Sequence, residues 1–479
     1  MSNEYKVQLV FPEGGSKLTS SGILPPGGII SLATYLKSRR PDLEVELFDG
    51  EATPQREIMG RLGGDLVGLS VTGANYHNAL EMAREAKKAG AKVILGGSHA
   101  TPKHRQILQN QGVIDAVVRG DGEIALYEFL EASRLGDYER LNGVKNLSYR
   151  DIDGSVRVNP LLRKCEEVDL DSIPAPDYSL LGGLLAQYSH NFQNHAYRRK
   201  GYTRFISLES QKGCAKAGVS KKGRCSFCAR IDKGLRRLSP QEFWERARQL
   251  CDPDGKTMIW DVSDSFSGTT SEQDDWLKQV AKNKPSDLEG RVSFKIFGRA
   301  DEMDEESVKY LRQIGVYEVF IGAESGDQRK LDVINKGSTV EDNLQAVRNL
   351  KREGIRTYVS FIYGLLDEDS ESLRRTSQHA KKLIERGKIA GIGARVLYPI
   401  AGCSDHQKLL RRLRESGEVS LAKEINDADC YDAGDLQRLW LQHMTKTNLD
   451  EITMHHNETR RLAESRGIPI NDENRFFLS

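Results

Sequence analysis

Three cysteines stand close together near the middle of the chain, and their type and spacing could support metal chemistry. Cys214, Cys225 and Cys228 fall within 15 residues, whereas the next closest pair among the seven cysteines is 23 positions apart. Three thiolates can bind three irons of a 4Fe-4S cluster and leave the fourth iron open to a small ligand. The same cysteines with one histidine, His190 or His195, would satisfy a tetrahedral zinc ion. The chain has no second Cys-x-x-Cys pair, which favours the cluster, and unrelated thiols are a third interpretation.

The first 150 residues alternate between short apolar strands and helical segments. The strands are predicted at 5–10, 44–48, 66–71, 91–95 and 116–119, with helices such as 29–37 and 76–89 between them. This alternation predicts a Rossmann-like, doubly wound α/β domain over residues 1–150. The Gly96-Gly97 turn follows the fourth strand, where such folds bind ligands, although a turn glycine more often serves backbone geometry.

A second α/β region must position the cysteines. Residues 151–198 are predicted to be a linker, because prolines and acidic residues replace the periodic pattern around 169–181. Six strands and five helices then predict a partial (β/α)6 TIM-type barrel over residues 199–405, and the charged segment 406–479 predicts a helical C-terminal domain. The barrel strands are predicted at 204–208, 257–262, 292–296, 316–321, 357–362 and 394–398. The cysteines follow the first of these strands, at the end of the barrel where such enzymes carry their chemistry.

Composition argues against several classes of protein. With 70 basic and 69 acidic side chains, the chain has no net field that would draw it to nucleic acid or to an anionic membrane. No apolar run approaches the roughly 20 residues that a membrane span needs, and the N-terminus lacks the layout of a secretory signal. The cysteines are odd in number and mostly scattered, which argues against a disulfide framework. The expected location is therefore the cytoplasm.

The segment Cys225-Ser226-Phe227-Cys228 resembles the cysteine motif of the radical S-adenosylmethionine superfamily. Members of that superfamily usually have three residues between the first two cysteines, where this chain has ten. Up to about residue 405, the sequence resembles the branch with an N-terminal cobalamin-binding-type domain. The matching segments, in the order of the family, are Gly96-Gly97-Ser98-His99-Ala100-Thr101, Gly120-Asp121-Gly122-Glu123, Ile173-Pro174-Ala175-Pro176-Asp177, Gly298-Arg299-Ala300-Asp301, Ile321-Gly322-Ala323-Glu324-Ser325-Gly326, Ile334-Asn335-Lys336-Gly337 and Phe361-Ile362-Tyr363-Gly364-Leu365.

The resemblance implies a 4Fe-4S cluster on the three cysteines and S-adenosylmethionine as its ligand. Arg299, after the third barrel strand, would hold the methionyl carboxylate with both arms of its guanidinium. Glu324, after the fourth, would accept from an ammonium or a ribose hydroxyl. Ser325 and Gly326 would let the backbone approach the ligand. For Arg299 and Glu324 the alternative is a surface salt bridge.

Two more residues are expected at the barrel strand ends. Asp264, after the second strand, would contact substrate and is the catalytic candidate. Tyr398 ends the sixth strand, where it would contact adenine, and a plain turn is the equal alternative.

The insertion between the first two cysteines reads AKAGVSKKGR and carries four cationic side chains. Such a run is usually a solvated loop. The alternative is a docking patch, centred on Lys221 and Lys222, for an acidic electron donor such as a flavodoxin. The other expected partners are a small-molecule substrate and, for some reactions of this branch, a partner reductase.

The N-terminal domain departs from its family at the cobalamin site. It lacks the Asp-x-His-x-x-Gly loop whose histidine ligates cobalt, and His99 in the Gly-Gly turn is expected to be structural. The sequence therefore leaves cobalamin binding open and favours its absence.

The expected function is a radical S-adenosylmethionine enzyme that abstracts hydrogen from a small polar substrate. Since cobalamin is not favoured, the narrower expectation is dehydration of an aminoglycoside-type sugar in antibiotic biosynthesis, by resemblance to the radical diol-dehydratases. The alternatives are a cobalamin-dependent radical C-methyltransferase and, in a different class, a zinc-stabilised binding protein without catalysis.

Overall fold

The computed structural model describes residues 5–14, 22–163, 166–195, 199–219, 223–232, 234–268, 275–387 and 389–471. These residues divide into two compact units. The first comprises Met1–Ser207 with Asp427–Cys430, and the second comprises Leu208–Asn426 with Tyr431–Ser479. Lys221 and Lys222, the centre of the predicted docking patch, lie outside the described residues.

The first unit contains a seven-stranded sheet in the order β2-β1-β3-β4-β5-β6-β7. Its strands are β1 (Lys6–Phe11), β2 (Glu44–Asp49), β3 (Leu66–Ser70), β4 (Lys92–Gly96), β5 (Ala116–Val118), β6 (Leu147–Arg150) and β7 (Val156–Val158). The first five pair in parallel, whereas β6 and β7 add to the edge as an antiparallel hairpin that the sequence did not predict. Its helices are α1 (Gly27–Arg39), α2 (Gln55–Arg61), α3 (Tyr76–Lys88), α4 (Ala100–Asn110), α5 (Glu123–Leu135) and α6 (Gly183–Gln193).

Helices cover both faces of this sheet, which confirms the predicted doubly wound fold. Helix α1 contacts α5, and α2 contacts α3, as expected for two helical layers on opposite faces. The central strands are accordingly apolar along most of their length: β3 reads LVGLS with four of five residues buried.

The segment predicted to be extended before the barrel is more regular than its prolines suggested. The side chain of Asp169 accepts from the amide of Asp171, and that of Asp177 accepts from the amide of Ser179. Each aspartate thereby starts a short 3-10 turn, and helix α6 follows the second turn. The interpretation as an extended linker missed this helix, because local side-chain bonds to the backbone start turns that apolar periodicity does not reveal.

A second sheet has the strand order β16-β15-β14-β13-β12-β11-β8, and β9 and β10 form a separate hairpin. The strands are β8 (Tyr202–Leu208), β9 (Gln211–Gly213), β10 (Leu235–Arg237), β11 (Lys256–Asp261), β12 (Val292–Gly298), β13 (Val316–Glu324), β14 (Arg356–Tyr363), β15 (Gly391–Val396) and β16 (Ile470–Asn471). From β11 to β16 every pair is parallel. The six predicted barrel strands are present, and β16 adds a short seventh.

Helices follow the strands in the order expected of a partial barrel and then form the C-terminal region. They are α7 (Ala215–Val219), α8 (Pro240–Leu250), α9 (Trp276–Lys282), α10 (Glu305–Ile314), α11 (Gln328–Val333), α12 (Val340–Arg352), α13 (Ser370–Lys382), α14 (Ser404–Glu415), α15 (Val419–Asp427), α16 (Ala433–Met444) and α17 (Leu449–Ser465). The C-terminal helices share a core with the sheet: the buried Trp440 donates its indole N–H to the carbonyl of Gly364, 2.6 Å away. Among the helices that the structure describes, none has the length and apolar character that crossing a membrane requires.

Candidate active site

Charged residues end three neighbouring strands of the second sheet. Strand β11 ends at Asp261, β12 is followed directly by Arg299, and β13 ends at Glu324. Because parallel strands finish at the same edge, these residues share one edge of the sheet. Glu324 has a φ of +58°, and the register with β14 shifts between Gly322 and Glu324. This left-handed conformation is rare for a residue with a side chain and re-aims the carboxylate at the strand end.

The carboxylate of Glu324 forms a buried ion pair with Lys336, its Oε1 lying 2.7 Å from the ammonium Nζ. Their side chains are only 7% and 9% exposed. A side chain at Gly322 would overlap both charged groups, so the glycine makes room for the pair. Such a pair needs good geometry to offset desolvation, and removing either partner leaves a buried charge. Lys336 has no role of its own in the sequence-based predictions. No local signal links Lys336 to Glu324, which lies twelve residues earlier, before helix α11.

Arg299 is buried and already has several partners. Its Nη2 donates to the carboxylate of Asp301 at 2.7 Å and to the carbonyl of Lys336 at 2.8 Å, and its Nε lies 3.5 Å from a carboxylate oxygen of Glu302. These bonds fix the guanidinium plane beside the Glu324–Lys336 pair. The predicted two-armed grip on a ligand carboxylate therefore requires that at least one of these bonds be shared or exchanged.

The first cysteine directly follows strand β9, in the segment that connects β9 to β10. The amide of Cys214 donates to the carbonyl of Gly234 at 3.0 Å, which fixes it at the start of helix α7. Burial raises the pKa of the Cys214 thiol and of the Cys228 thiol. A metal that binds these thiols as thiolates would reverse that effect.

Lys216, in the insertion between the first two cysteines, lies close to Cys225. Its Nζ lies 4.0 Å from the Sγ of Cys225. Gly337 lies between Lys216 and Arg299: a Cβ on this glycine would stand 3.0 Å from the Cε of Lys216 and 3.4 Å from the Nη2 of Arg299. The described part of the insertion thus places a cation beside a candidate cluster ligand, which its interpretation as a charge run did not predict.

Cys225 and Cys228 line a surface cavity of about 490 Å³, together with residues of the C-terminal region. Among the described residues, no group of three or more His, Cys, Asp and Glu side chains is arranged to hold a single metal ion. His190, one of the candidate zinc ligands, has its Nε2 3.3 Å from the amide nitrogen of Asn194. A zinc site needs its ligands to converge on one ion, whereas a cluster distributes three cysteines over three irons. The three thiols Cys214, Cys225 and Cys228 supply the donor set that a 4Fe-4S cluster with one open iron requires.

Asp264 lies close to the cysteines but is ion-paired. Its Oδ1 is 2.7 Å from the guanidinium of Arg230, and burial raises the pKa of its carboxyl. Its charge also adds to the burial that raises the pKa of Cys228. The structure thus brings Asp264 to the candidate site, where a contact with substrate would compete with Arg230.

Ser325 and Gly326 face helix α13. The hydroxyl oxygen of Ser325 lies 2.9 Å from that of Thr376, and a Cβ at Gly326 would stand 2.5 Å from the carbonyl oxygen of Arg375. The close approach of α13 therefore explains the glycine without a ligand. Tyr398 follows β15 in a partly buried position, where burial raises the pKa of its hydroxyl.

The strand ends of the first unit are different in character. Beyond β3 and β4 the chain reaches small, exposed residues, Gly73 and Ala74 and then Gly97 and Ser98. Strand β5 is followed by Arg119, whose buried guanidinium donates to the carbonyl of Asn159, and then by the exposed Gly120. Such an edge presents backbone rather than side chains, so it suits a large, flat cofactor that needs room. This edge of the first unit is therefore compatible with cobalamin.

His99 is turned to the protein within the first unit. Its Nε2 lies 2.9 Å from the carbonyl oxygen of Asp429, and its ring packs against that of Tyr76 with 4.6 Å between centroids. Burial lowers the pKa of the imidazole to about 4. These contacts agree with the expected structural role of His99 and occupy a nitrogen that cobalt would require.

Comparison with known families assigns both regions. The family described as the Radical SAM superfamily matches residues 212–380, and the B12 binding domain matches residues 17–130. An uncharacterized methyltransferase of Pyrococcus horikoshii is 28% identical over 390 residues, 79% of this chain and 78% of the relative. The anaerobic magnesium-protoporphyrin IX monomethyl ester cyclase of Cereibacter sphaeroides is 26% identical over 384 residues, 77% of this chain and 58% of the cyclase.

Solved structures show the same fold. The cobalamin-dependent S-adenosylmethionine radical enzyme OxsB, with aqua-cobalamin bound, aligns with a TM-score of 0.69 at 19% identity, over 87% of this chain. The chain spans 62% of the length of OxsB. The radical S-adenosylmethionine methyltransferase TsrM of Kitasatospora setae, with cobalamin and a 4Fe-4S cluster bound, aligns with a TM-score of 0.62 at 19% identity, over 85% of this chain and 75% of TsrM. At these identities the likeness establishes the fold alone.

The family matches imply a 4Fe-4S cluster and S-adenosylmethionine for the second unit, as the cysteine motif predicted. The sequence favoured the absence of cobalamin. The B12 binding domain match counts against that expectation, because it includes strands β2 to β5 of the first sheet. The chain therefore contains a region that matches the radical SAM superfamily, preceded by a region that matches the B12 binding domain.

Proposed function

We propose that the protein is a cobalamin-dependent radical S-adenosylmethionine enzyme that transfers a methyl group to a carbon atom of a small substrate. The observation that carries the proposal is the bare, exposed edge formed by Gly73, Gly97 and Gly120 on the sheet that matches the B12 binding domain. The names of the methyltransferase relatives support methyl transfer over the dehydration that the sequence favoured. A cyclase among the relatives keeps the substrate class open.

Each region of the chain has a defined task in this proposal. The three cysteines would hold the cluster, and the edge containing Arg299, Glu324 and Lys336 would bind the methionyl and ribose groups of S-adenosylmethionine. When bound, these cofactors would supply reductive cleavage of S-adenosylmethionine and the relay of a methyl group. The protein binds, orients and excludes water. We also propose a cytoplasmic location and an acidic flavodoxin-type electron donor.

The test uses the full chain, reconstituted anaerobically with iron and sulfide and then with hydroxocobalamin. A methyltransferase should retain cobalamin through gel filtration. With a reductant and an extract of small metabolites, it should convert S-adenosylmethionine to both S-adenosylhomocysteine and 5′-deoxyadenosine. Both products should depend on added cobalamin. Formation of 5′-deoxyadenosine alone, independent of cobalamin, would instead restore the dehydration hypothesis.

A further inference from the structure

The loop that carries Cys225 and Cys228 is held at its centre by Ser226. All three polar groups of this residue are bonded. Its amide donates to the carbonyl of Ile334 at 2.9 Å, its carbonyl accepts from the amide of Asp405 at 3.0 Å, and its hydroxyl donates to the Asp405 carboxylate at 2.7 Å. A residue bonded at both backbone groups and at its side chain cannot rotate without breaking bonds. Ser226 therefore fixes the peptide that joins the two cysteines.

Asp405 is 179 residues from Ser226 in sequence, but it binds this loop at its centre. It lies in the first turn of helix α14 and is completely buried, and Ser226 is 6% exposed. Its second carboxylate oxygen accepts from the ammonium of Lys408 at 2.9 Å. A buried carboxylate is costly unless its oxygens are bonded, and here one bond goes to the cysteine loop and one to a cation.

Asp405 is the last residue of the predicted barrel and lies beyond the family match. The family match ends at residue 380, and sequence reasoning found no motif in the C-terminal region. Yet Gly402, Ser404 and Lys408 line the same cavity as Cys225 and Cys228. The start of helix α14 is thus a wall of the cysteine site.

We infer that Asp405 is a positioning residue for the cluster: through Ser226 it sets the geometry with which Cys225 and Cys228 bind iron. This inference rests on the proposed function, because it presupposes a cluster on these cysteines. It assigns to the C-terminal helices a part in cofactor binding as well as in the hydrophobic core. Asp405 acts through Ser226 and is not itself a ligand.

The test compares D405A, S226A, the double variant and the conservative D405N in the full chain. The control is S377A, since Ser377 is also a buried serine of the second unit, with its hydroxyl 3.0 Å from the Nδ1 of His455. Each protein is reconstituted with ferrous iron and sulfide. The readouts are the electron paramagnetic resonance spectrum of the dithionite-reduced cluster and the rate of iron release to a chelator.

We expect D405A and S226A to change the spectrum and to release iron about tenfold faster, the size of one charge-assisted hydrogen bond. The double variant should be no worse than D405A. D405N should retain the wild-type spectrum, because its amide oxygen can accept from Ser226 while the partly exposed ammonium of Lys408 turns to water. A structural role alone would lower the melting temperature without moving the spectrum, so an unchanged spectrum in S226A and D405A overturns the inference. Equal changes in S377A would do the same. A wild-type chain that takes up no iron would contradict the proposed function instead.

Discussion

The two sheets of this molecule end their strands in opposite ways. In the first unit, β3 and β4 are followed by small exposed residues such as Gly73 and Gly97. In the second, β12 and β13 end in the buried charges of Arg299 and Glu324. A bare backbone edge selects a ligand by shape and by the room that it leaves. An edge of paired charges selects a ligand by its own charges and hydrogen bonds.

This difference teaches that a parallel sheet does not by itself determine which cofactor it receives. The two edges also differ in how they treat a buried carboxylate. Glu324 is neutralised by the ammonium of Lys336, whereas Asp49, which ends β2 in the first unit, is bonded to the hydroxyl of Tyr188. The predictions that follow test whether each edge depends on the feature that distinguishes it.

The largest effect should follow replacement of a cysteine in the second unit. Cys225→Ser should prevent stable assembly of a 4Fe-4S cluster and reduce cleavage of S-adenosylmethionine to background, because only two thiolates remain. Cobalamin retention by the first unit should not change. Iron content, the reduced-cluster spectrum and 5′-deoxyadenosine formation measure this. Cys251→Ser is the matched control, and a full cluster in C225S would remove these cysteines from the site.

The buried ion pair should give the next largest effect. Lys336→Met leaves Glu324 buried without its cation and should lower the free energy of unfolding by about 3–5 kcal/mol. The double variant E324Q/K336M should recover part of this loss. Arg352→Met is the control, since the Arg352–Glu305 pair is exposed and should contribute less than about 1 kcal/mol. Denaturant unfolding measures all four proteins. Equal losses of unfolding free energy in K336M and R352M would show that the buried pair contributes no more than an exposed pair.

The order of the helices and strands could be predicted from sequence much better than the Glu324–Lys336 ion pair. Helix α3 and strands β11 and β14 were predicted within one residue at each end, because apolar periodicity is a local signal. The partners of Glu324 and Ser226 could not be predicted, since they are brought close by strand order and by helix α14. The β6–β7 hairpin was not predicted, because short edge strands show little apolar periodicity.

The carboxyl of Asp49 should make the stability of the first unit depend on pH. Burial raises its pKa from 3.8 to about 6. Because the folded pKa is the higher one, the stabilisation is complete below pH 3.8 and is lost as the pH rises through 6. Asp49→Asn should therefore gain stability relative to the wild type above pH 6, by at most about 3 kcal/mol. The hydroxyl of Tyr188 can turn to accept from the new amide.

Denaturant unfolding of wild type and D49N from about pH 3.5 to 8, in buffers of constant ionic strength, measures this difference. The two curves should converge at the acid end. A difference between them that does not vary with pH would show that Asp49 stays ionised in the folded protein.

The bare edge of the first unit should be sensitive to bulk rather than to charge. Ala74→Trp places an indole on an exposed position and should weaken cobalamin retention about tenfold, the effect of losing roughly 1.4 kcal/mol. Ile152→Trp is the control, because Ile152 is 82% exposed on the β6–β7 hairpin of the same unit. Equilibrium dialysis with hydroxocobalamin measures both. Unchanged retention in A74W would mean that cobalamin does not lie on this edge.

The smallest effect should come from Lys216, the cation that the insertion brings to the cysteines. Its Nζ lies 4.0 Å from the Sγ of Cys225, and two unit charges at that distance interact by about 1 kcal/mol in water. Reduction adds a negative charge to a cluster, so a nearby ammonium stabilises the reduced form. Lys216→Met should therefore lower the reduction equilibrium constant about fivefold. A redox titration followed by electron paramagnetic resonance measures this, with K278M on helix α9 as the control. An unchanged reduction potential in K216M would favour the interpretation of the insertion as a solvated loop. The charged edge that binds the cofactors would then consist of Arg299, Glu324 and Lys336 alone.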